Sequence, residues 1–536
     1  MPCETTVRHA VIDLLRRLRM TAIFGNPGST ELGLLRELPE DFRYVLGLQE
    51  AVVVGMADGY AQATRNAAFV NLHSAVGVGH AMGNIFTAFK NRTPLVITAG
   101  QQARSILPFD PFLGSAQATE LPKPYVKWSV EPARAEDVPQ AIARAYAVAM
   151  QEPRGPVLVS IPADDWMRPA ELVAERTVSR QSRPDPELLA RIGEALDASE
   201  RPAFVVGAAV DRGEAWDAVQ QLAERHNARV FSAPMSGRCG FAEDHRLFAG
   251  HLPAMRERIV ADLAGHDLVF ALGAPAFTYH VEGAGPHLPA GARLCQLIDD
   301  PAVAAWTPVG LACVGSIRGG VVDLLARPAP RLRVAPRARA AVPRAEPPAD
   351  GAPMSAAYVL QTLAELREPA SIVVEEAPSA RRFMHLHLPF TRSETFYTMC
   401  SGGLGWSMPA AVGIALAKLQ PKLQLQPQAK VIALIGDGSA MYSIQALWSA
   451  AQLKLPITFI ILNNRRYAAL QEFAPVFGFR ADDPLPGSEL PGIDFVALAR
   501  GHGVQAVRVG TAAALRDTLA QALGSSAPIL VEVEIE

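Results

Sequence analysis

Short, nearly unbroken apolar runs recur along the chain, each separated from the next by a longer stretch of helical patterning. "VIALIG" (431–436), "ITFIILNN" (457–464) and "PLVITAG" (94–100) are typical. Runs of this length, rich in β-branched residues and without polar alternation, read as strands buried on both faces. Alternating with helices, they predict parallel sheets covered on either side. The expected fold class is α/β, with doubly wound parallel sheets.

The runs fall into three blocks. The first holds "TAIFGN", "RYVLGL", "AAFVNLH", "PLVITAG" and "PVLVSIP". After the linker-like "SRQSRPDPELL" comes a second, with "PAFVVGAAV", "ARVFSAP", "DLVFALGAP" and "ARLCQLID". The third holds "SIVVEEAPS", "TFYTMC", "KVIALIGDGS", "ITFIILNN", "VQAVRVG" and "ILVEVEIE". A chain of 536 residues exceeds one hydrophobic core. The expected domains are 1–180, 181–330 and 355–536. Residues 331–354, rich in Pro, Ala and Arg, read as a surface tether.

The composition is 49% apolar and 19% charged, which allows large cores. A net charge of -3 provides no electrostatic footprint for nucleic acid or an anionic membrane. No apolar run reaches the length of about 18 residues that a membrane span needs. The N-terminal "MPCETTVRHAVIDLLRRLRM" has no secretory core and reads as an amphipathic helix with a basic face. Five scattered cysteines without a CxxC pair speak against a disulfide framework or a zinc site and fit a reducing cytoplasm. His385 and His387 form an HxH, but with no third ligand in the sequence they read as an ordinary surface or interface pair.

The segment 431–464 carries the strongest chemical signal. A buried strand ends at Gly436-Asp437-Gly438-Ser439, a helix follows, and a second strand ends at Asn463-Asn464. Parallel strands place Asp437 and Asn464 at the same carboxyl edge, where open α/β sheets bind ligands. Both side chains offer hard oxygens. The glycines let the backbone approach a ligand, and the helix start favours phosphate. This set suits a magnesium ion bridging a diphosphate. In the first block, "YVLGLQEAVVVG" sets Glu50 alone among apolar residues. Such a carboxyl requires a partner or a proton.

"GDGS…NN", together with "FGNPGSTELGLLRELPEDFRYVLGLQEAVVVGMADGYAQAT", resembles the thiamine diphosphate-dependent decarboxylase family, and within it the benzoylformate decarboxylase group. The resemblance continues through "NLHSAVGVGHAMGN", "PLVITAGQQAR", "GAPAFTYH", "GGLGWSMPAAVGIAL" and "PGIDFVALARGHGVQA". It implies thiamine diphosphate and Mg2+ as cofactors. It also implies non-oxidative decarboxylation of an aromatic 2-oxo acid through an ylide and an enamine, in a homotetramer with active sites between subunits. Glu50 would share a proton with the aminopyrimidine N1′. Ser29 would bind the substrate carboxylate, and His73 and His280 would move protons. Asp437, Asn464 and the carbonyl of Arg466 would hold the metal. Asn26, Pro27, Gly28, Pro378, Gly402, Leu404, Gly436, Gly438, Ser439, Ala440 and Tyr467 would contact the cofactor. Phe112, Leu113, Leu470 and Phe473 would wall the aryl pocket, and their apolar surface favours a bulky 2-oxo acid over pyruvate.

Several positions depart from the family. Pro378 stands where the family has threonine, His80 where it has asparagine, and Arg465-Arg466 where it has Gly-Thr. "GVGHAMG" has dinucleotide-like glycines, but they are one residue too widely spaced and no ribose-binding acid follows, so it is assigned to a helix entry. Two further readings stay open. One is a carboligase of the acetohydroxyacid synthase kind, and the other is a cofactor-binding homologue without turnover.

Overall fold

The computed structural model describes residues 5–349, 351–420, 429–480 and 482–536. Three six-stranded sheets organise them, and every strand pair within each sheet is parallel.

The first sheet comprises β1 (Ala22–Asn26), β2 (Arg43–Leu46), β3 (Ala68–Leu72), β4 (Leu95–Gln101), β5 (Ser129–Val130) and β6 (Val157–Pro162), in the order β2-β1-β3-β4-β6-β5. The second comprises β7 (Pro202–Val206), β8 (Arg229–Ser232), β9 (Phe248–His251), β10 (Leu268–Leu272), β11 (Arg293–Ile298) and β12 (Leu311–Val314), in the order β12-β11-β10-β7-β8-β9. The third comprises β13 (Ile372–Glu376), β14 (Phe396–Thr398), β15 (Val431–Gly436), β16 (Ile457–Asn463), β17 (Gln505–Val509) and β18 (Ile529–Glu534), in the order β14-β13-β15-β16-β18-β17. The first and third sheets therefore repeat one strand order, and the second has the order of dinucleotide-binding folds. The expected α/β class holds.

The first and third sheets share one hydrophobic core, which runs from Phe24 and Val70 to Val374 and Phe459. At its centre the helix Glu50–Thr64, which follows β2, packs on the helix Ser407–Lys418, which follows β14. Small residues make this approach possible. A Cβ on Gly59 would stand 2.1 Å from the Ala410 carbonyl oxygen, and one on Gly413 would stand 1.9 Å from that of Met56. Gly55 would meet Pro409 at 2.6 Å. The middle sheet is packed by its own clusters.

Three segments add detail to the sequence reading. The basic N-terminal helix runs Val7–Arg17, capped by the Thr6 hydroxyl on His9 N. The expected single helix after Gly436 is divided into Asp437–Ala440 and Ala446–Gln452. Between them Tyr442, Ser443, Ala446 and Leu447 donate to the carbonyl three residues back, so the segment is wound tighter than an α-helix. The arginine-rich tether runs along the middle domain. Arg333 donates to the carbonyls of Leu196, Asp197 and Ser199, while Leu332 is fully exposed. Cys3 lies outside the described residues, and Cys239, Cys295, Cys313 and Cys400 are free thiols.

The glycine crossing generates a stability prediction. Gly59→Ala or Gly413→Ala forces two backbones apart and costs about 1–3 kcal/mol or more. Gly524→Ala, where a Cβ meets nothing within 4 Å, leaves the unfolding midpoint unchanged or higher. Chemical denaturation of the three variants measures the difference.

Candidate active site

The residues singled out from sequence gather at the carboxyl edges of the sheets, in two groups. The first group lies on the first sheet. Asn26 ends β1, and Pro27 and Gly28 lead into a short 3-10 turn, Ser29–Glu31. Glu50 is the first residue of its helix, whose N-terminal N–H groups at Ala51 and Val52 are capped by Gln49 Oε1 at 2.6 and 3.2 Å. A carboxylate is favoured at this helix end. His73 follows β3 at the N-cap position of the helix Ser74–Asn91, without a side-chain cap bond.

Glu50 has a partner that its own segment does not supply. Nδ1 of His80, one helix away, lies 3.1 Å from Glu50 Oε2. The glutamate side chain is 12% exposed and the imidazole 58%. The departure from the family pattern at position 80 thus puts an imidazole directly on the carboxyl. "GVGHAMG" lies within the helix Ser74–Asn91, with Gly77 against the Glu50 side chain.

His73 is oriented by a residue that the sequence reading passed over. Glu31, 1% exposed, accepts from Gly28 N at 2.8 Å and stands 2.9 Å from His73 Nδ1. Its other oxygen accepts from the Thr30 hydroxyl at 2.6 Å. With that hydroxyl proton committed, Nδ1–H is the donor to Glu31, and Nε2 is the nitrogen left for chemistry. Glycines make room for the arrangement. A Cβ on Gly28 would strike the His73 ring at 2.3 Å, and one on Gly100 would reach Glu31 Oε1 at 2.0 Å. The available signal was the spacing Gly28…Glu31, which returns a carboxylate to the N–H at the start of the turn.

The second group lies on the third sheet. The β15–β16 register pairs Gly436 with Leu462, which sets Asp437 and Asn464 at one edge as the spacing predicted. Asp437 is 4% exposed. Its Oδ1 accepts from Gly438 N at 2.8 Å, whereas Oδ2 is buried without a hydrogen-bond partner. Burial raises its pKa. Asn464 Oδ1 accepts from Arg466 N at 3.2 Å. An orphaned carboxylate oxygen beside an amide oxygen is a donor set that fits a hard cation such as magnesium. A cation there would restore the ionised form that burial disfavours.

The unusual arginine pair separates. Arg465 turns outward to Glu534 at 2.8 Å, and Arg466 stays partly buried. The Tyr467 ring lies over Gly438, where a Cβ would meet it at 2.3 Å. Ser439 and Ala440 complete the turn after Asp437, both buried. Pro378 is exposed at the end of β13.

A second buried acid shapes the loop that contains Gly402 and Leu404. Gly402 takes a positive φ of 73°. Glu376, 1% exposed, accepts from the N–H groups of Gly405, Trp406 and Ser407 at 2.5, 2.8 and 2.7 Å. Burial raises its pKa to about 7, against the pull of these three donors. Asn84 Nδ2 joins the two groups' scaffolds, donating to Ala51 O at 2.7 Å and to Gly405 O at 3.2 Å.

The expected pocket wall is divided in the same way. Leu470 and Phe473 lie on the helix Ala468–Phe473, and the Phe473 ring sits 4.7 Å from that of His280, in the loop after β10. Phe112 and Leu113 belong to the first domain, where Phe112 is 87% exposed. Among the described residues, no hydrogen bond, ion pair or ring contact joins the Glu50 group directly to the Asp437 group.

Three family models match, each over part of one sheet's segment of the chain. Residues 5–120 match the N-terminal TPP binding domain of thiamine pyrophosphate enzymes, 189–325 their central domain and 378–533 their C-terminal TPP binding domain. The chain belongs to the thiamine pyrophosphate enzymes. It is 44% identical over 535 residues to benzoylformate decarboxylase of Pseudomonas aeruginosa, covering 98% of each chain. The crystal structure of benzoylformate decarboxylase from Polynucleobacter necessarius superposes with a TM-score of 0.95 at 39% identity, covering 99% of this chain and 98% of that one. The Rhodococcus jostii thiamine diphosphate-dependent 4-hydroxybenzoylformate decarboxylase gives 0.93 at 39%, covering 99% of each. The orphaned Asp437 oxygen and the divided polar groups therefore belong to a cofactor-dependent enzyme.

Two predictions concern the buried acids of this thiamine pyrophosphate enzyme. Glu31→Gln keeps the shape of the turn but weakens its hold on His73, and lowers kcat/KM about 10²-fold while cofactor affinity holds. Steady-state kinetics and cofactor titration measure the two separately. Glu376 rises from the 4.5 of a free glutamate to about 7, so its contribution to stability is full below pH 4.5 and is lost as pH rises through about 7. Glu376→Gln removes that dependence. The stability of the native protein relative to the variant therefore falls between pH 4.5 and 7, as read from denaturation midpoints across that range.

Proposed function

We propose that the protein decarboxylates aromatic 2-oxo acids of the benzoylformate type without oxidation, taking up one proton and releasing an aldehyde and carbon dioxide. The observation that carries this reading is the His280 imidazole lying against Phe473. A proton-transfer group set on an aromatic wall suits a substrate whose keto carbon is attached to a ring. The two decarboxylases of benzoylformate and the one of 4-hydroxybenzoylformate among the relatives support the same substrate class.

Bound thiamine diphosphate supplies the electron sink for carbon–carbon cleavage. The chain's own residues hold and time the protons. Asp437, Asn464 and the Arg466 carbonyl would hold Mg2+. The Gly436–Ala440 turn and Tyr467 would contact the cofactor's diphosphate, and Leu404 would pack against the cofactor. Glu50, already beside His80, would hold a proton toward the aminopyrimidine N1′. Ser29 donates to the substrate carboxylate. His73, through Nε2, and His280 deliver and remove protons at the reacting carbon.

The division of these residues into two groups within one chain supports a site completed by a second subunit, in a homotetramer. The exposure of Phe112 supports the same reading. So do Leu48 and Val76 near Glu50, at 45% and 50%, and Tyr442 beside the Asp437 turn, at 57%. No described helix is long and apolar enough to cross a membrane. The scattered free cysteines support a cytoplasmic location.

A panel of 2-oxo acids with thiamine diphosphate and magnesium tests the proposal. Benzaldehyde and carbon dioxide are expected from benzoylformate, with pyruvate a poor substrate. Acetolactate from pyruvate without benzaldehyde from benzoylformate would establish the carboligase reading instead, and cofactor binding without any turnover would establish the non-catalytic one. Glu50→Gln is expected to slow C2–H exchange of the bound cofactor by about 10²–10⁴-fold, as read by NMR; near-normal exchange would remove Glu50 from its role.

A further inference from the structure

Away from the cofactor residues, the junction of the middle and third domains buries a second cluster of metal-ligating side chains. Cys239 and Glu243 lie on the connection between β8 and β9, His251 ends β9, and His385 lies on the helix Arg381–His387. Of the HxH that read as an ordinary pair, His385 joins this cluster and His387 does not. The ligand atoms of Cys239, Glu243 and His385 all lie within 4.8 Å of one another. Glu243 Oε1 stands 3.5 Å from the Cys239 sulfur, 2.8 Å from His251 Nε2 and 2.8 Å from His385 Nδ1. The two imidazole rings stack at 3.8 Å. The Glu243 side chain is fully buried, Cys239 is 5% exposed, and the side chains of His385 and His251 are 14% and 28% exposed.

A second observation separates this cluster from a satisfied polar network. Nδ1 of His385 is buried and close to the carboxylate, yet it is off the direction of a hydrogen bond and has no other partner. Glu243 Oε2 is already committed to Phe390 N at 2.8 Å, which fixes the carboxylate plane and leaves Oε1 turned toward the other three donors. One sulfur, one imidazole nitrogen and one carboxylate oxygen from two domains thus lie together, and His251 adjoins them through the same carboxylate oxygen and the stacked ring of His385.

We propose that Cys239, Glu243, His251 and His385 form a structural zinc site that clamps the middle domain to the third. The donor types are those of closed four-coordinate zinc sites, with Zn–S of about 2.3 Å and Zn–N of about 2.0–2.1 Å. A thiolate and a carboxylate together offset the charge of Zn2+, so the occupied site is neutral, as burial demands. Binding breaks the Cys239 S–H bond, forms a Zn–S bond and releases the thiol proton to solvent. This site is distinct from the magnesium site in its soft sulfur donor, its elements and its distance in sequence from Asp437 and Asn464. It fixes the helix Arg381–His387, which directly follows Pro378 and the Glu376 anchor of the cofactor loop.

The test uses the full-length holoenzyme with magnesium and thiamine diphosphate in excess, stripped of other metals with a chelator and titrated with Co2+. The proposal expects a sulfur-to-cobalt charge-transfer band that saturates at one equivalent per chain and is displaced by Zn2+. Cobalt at the oxygen-only magnesium site gives no such band. The band is lost in Cys239→Ser and retained in Asp437→Asn. Metal analysis of the protein as purified is expected to give one zinc per chain, falling at least tenfold in His251→Gln. A wild-type holoenzyme with no sulfur-to-cobalt band overturns the proposal without recourse to any variant, as does a band that survives Cys239→Ser. Failure of the decarboxylase assay with the band intact would bear only on the proposed function.

Discussion

The backbone contact between the helices Glu50–Thr64 and Ser407–Lys418 sets the position of everything at the carboxyl edge. Gly55, Gly59 and Gly413 remove the side chains that would hold these helices at an ordinary separation. Each helix begins at a chemical segment. One starts with Glu50 itself, and the other starts beside the Gly402–Leu404 loop. Fixing the crossing therefore fixes the distance between a carboxyl and a loop that are three hundred and fifty residues apart in sequence. Asn84 ties the two starts together through Ala51 O and Gly405 O.

Buried carboxylates then do the local shaping. Glu31 and Glu376 are both almost inaccessible, and both accept from backbone N–H groups of a glycine-containing turn. Each offsets its desolvation by holding main-chain donors that would otherwise be orphaned. The turn at Gly28 thereby becomes a seat for His73, and the loop at Gly405 becomes rigid despite its positive-φ residues. Asp437 is the contrasting case. Its second oxygen has no such donor.

Most of the architecture was legible because buried parallel strands are unbroken apolar runs. All six strands of the third sheet, five of the first and four of the second carry that signal. The three that did not, β5, β9 and β12, are sheet edges with mostly half-exposed residues, so no continuous run marks them. The placing of Asp437 and Asn464 was legible for a related reason: the βαβ rule converts a spacing into a shared edge. Contacts between distant segments left no local trace. His80 on Glu50, Glu31 under His73 and Glu243 beside His385 are all products of packing. The break after Ala440 was hidden as well, because a segment wound on three-residue hydrogen bonds has nearly the same apolar period as an α-helix.

The glycine crossing also constrains how the sequence can change. A side chain added at Gly59 is met by a carbonyl of the other helix rather than by a movable side chain. No single rotamer shift can relieve it, and a smaller residue than Ala410 leaves that carbonyl where it is. Positions 55, 59, 409, 410 and 413 therefore behave as one unit of inheritance. Drift at any of them moves a whole helix, and with it either Glu50 or the Gly402–Leu404 loop. Two domains that look independently evolvable are in this respect locked together.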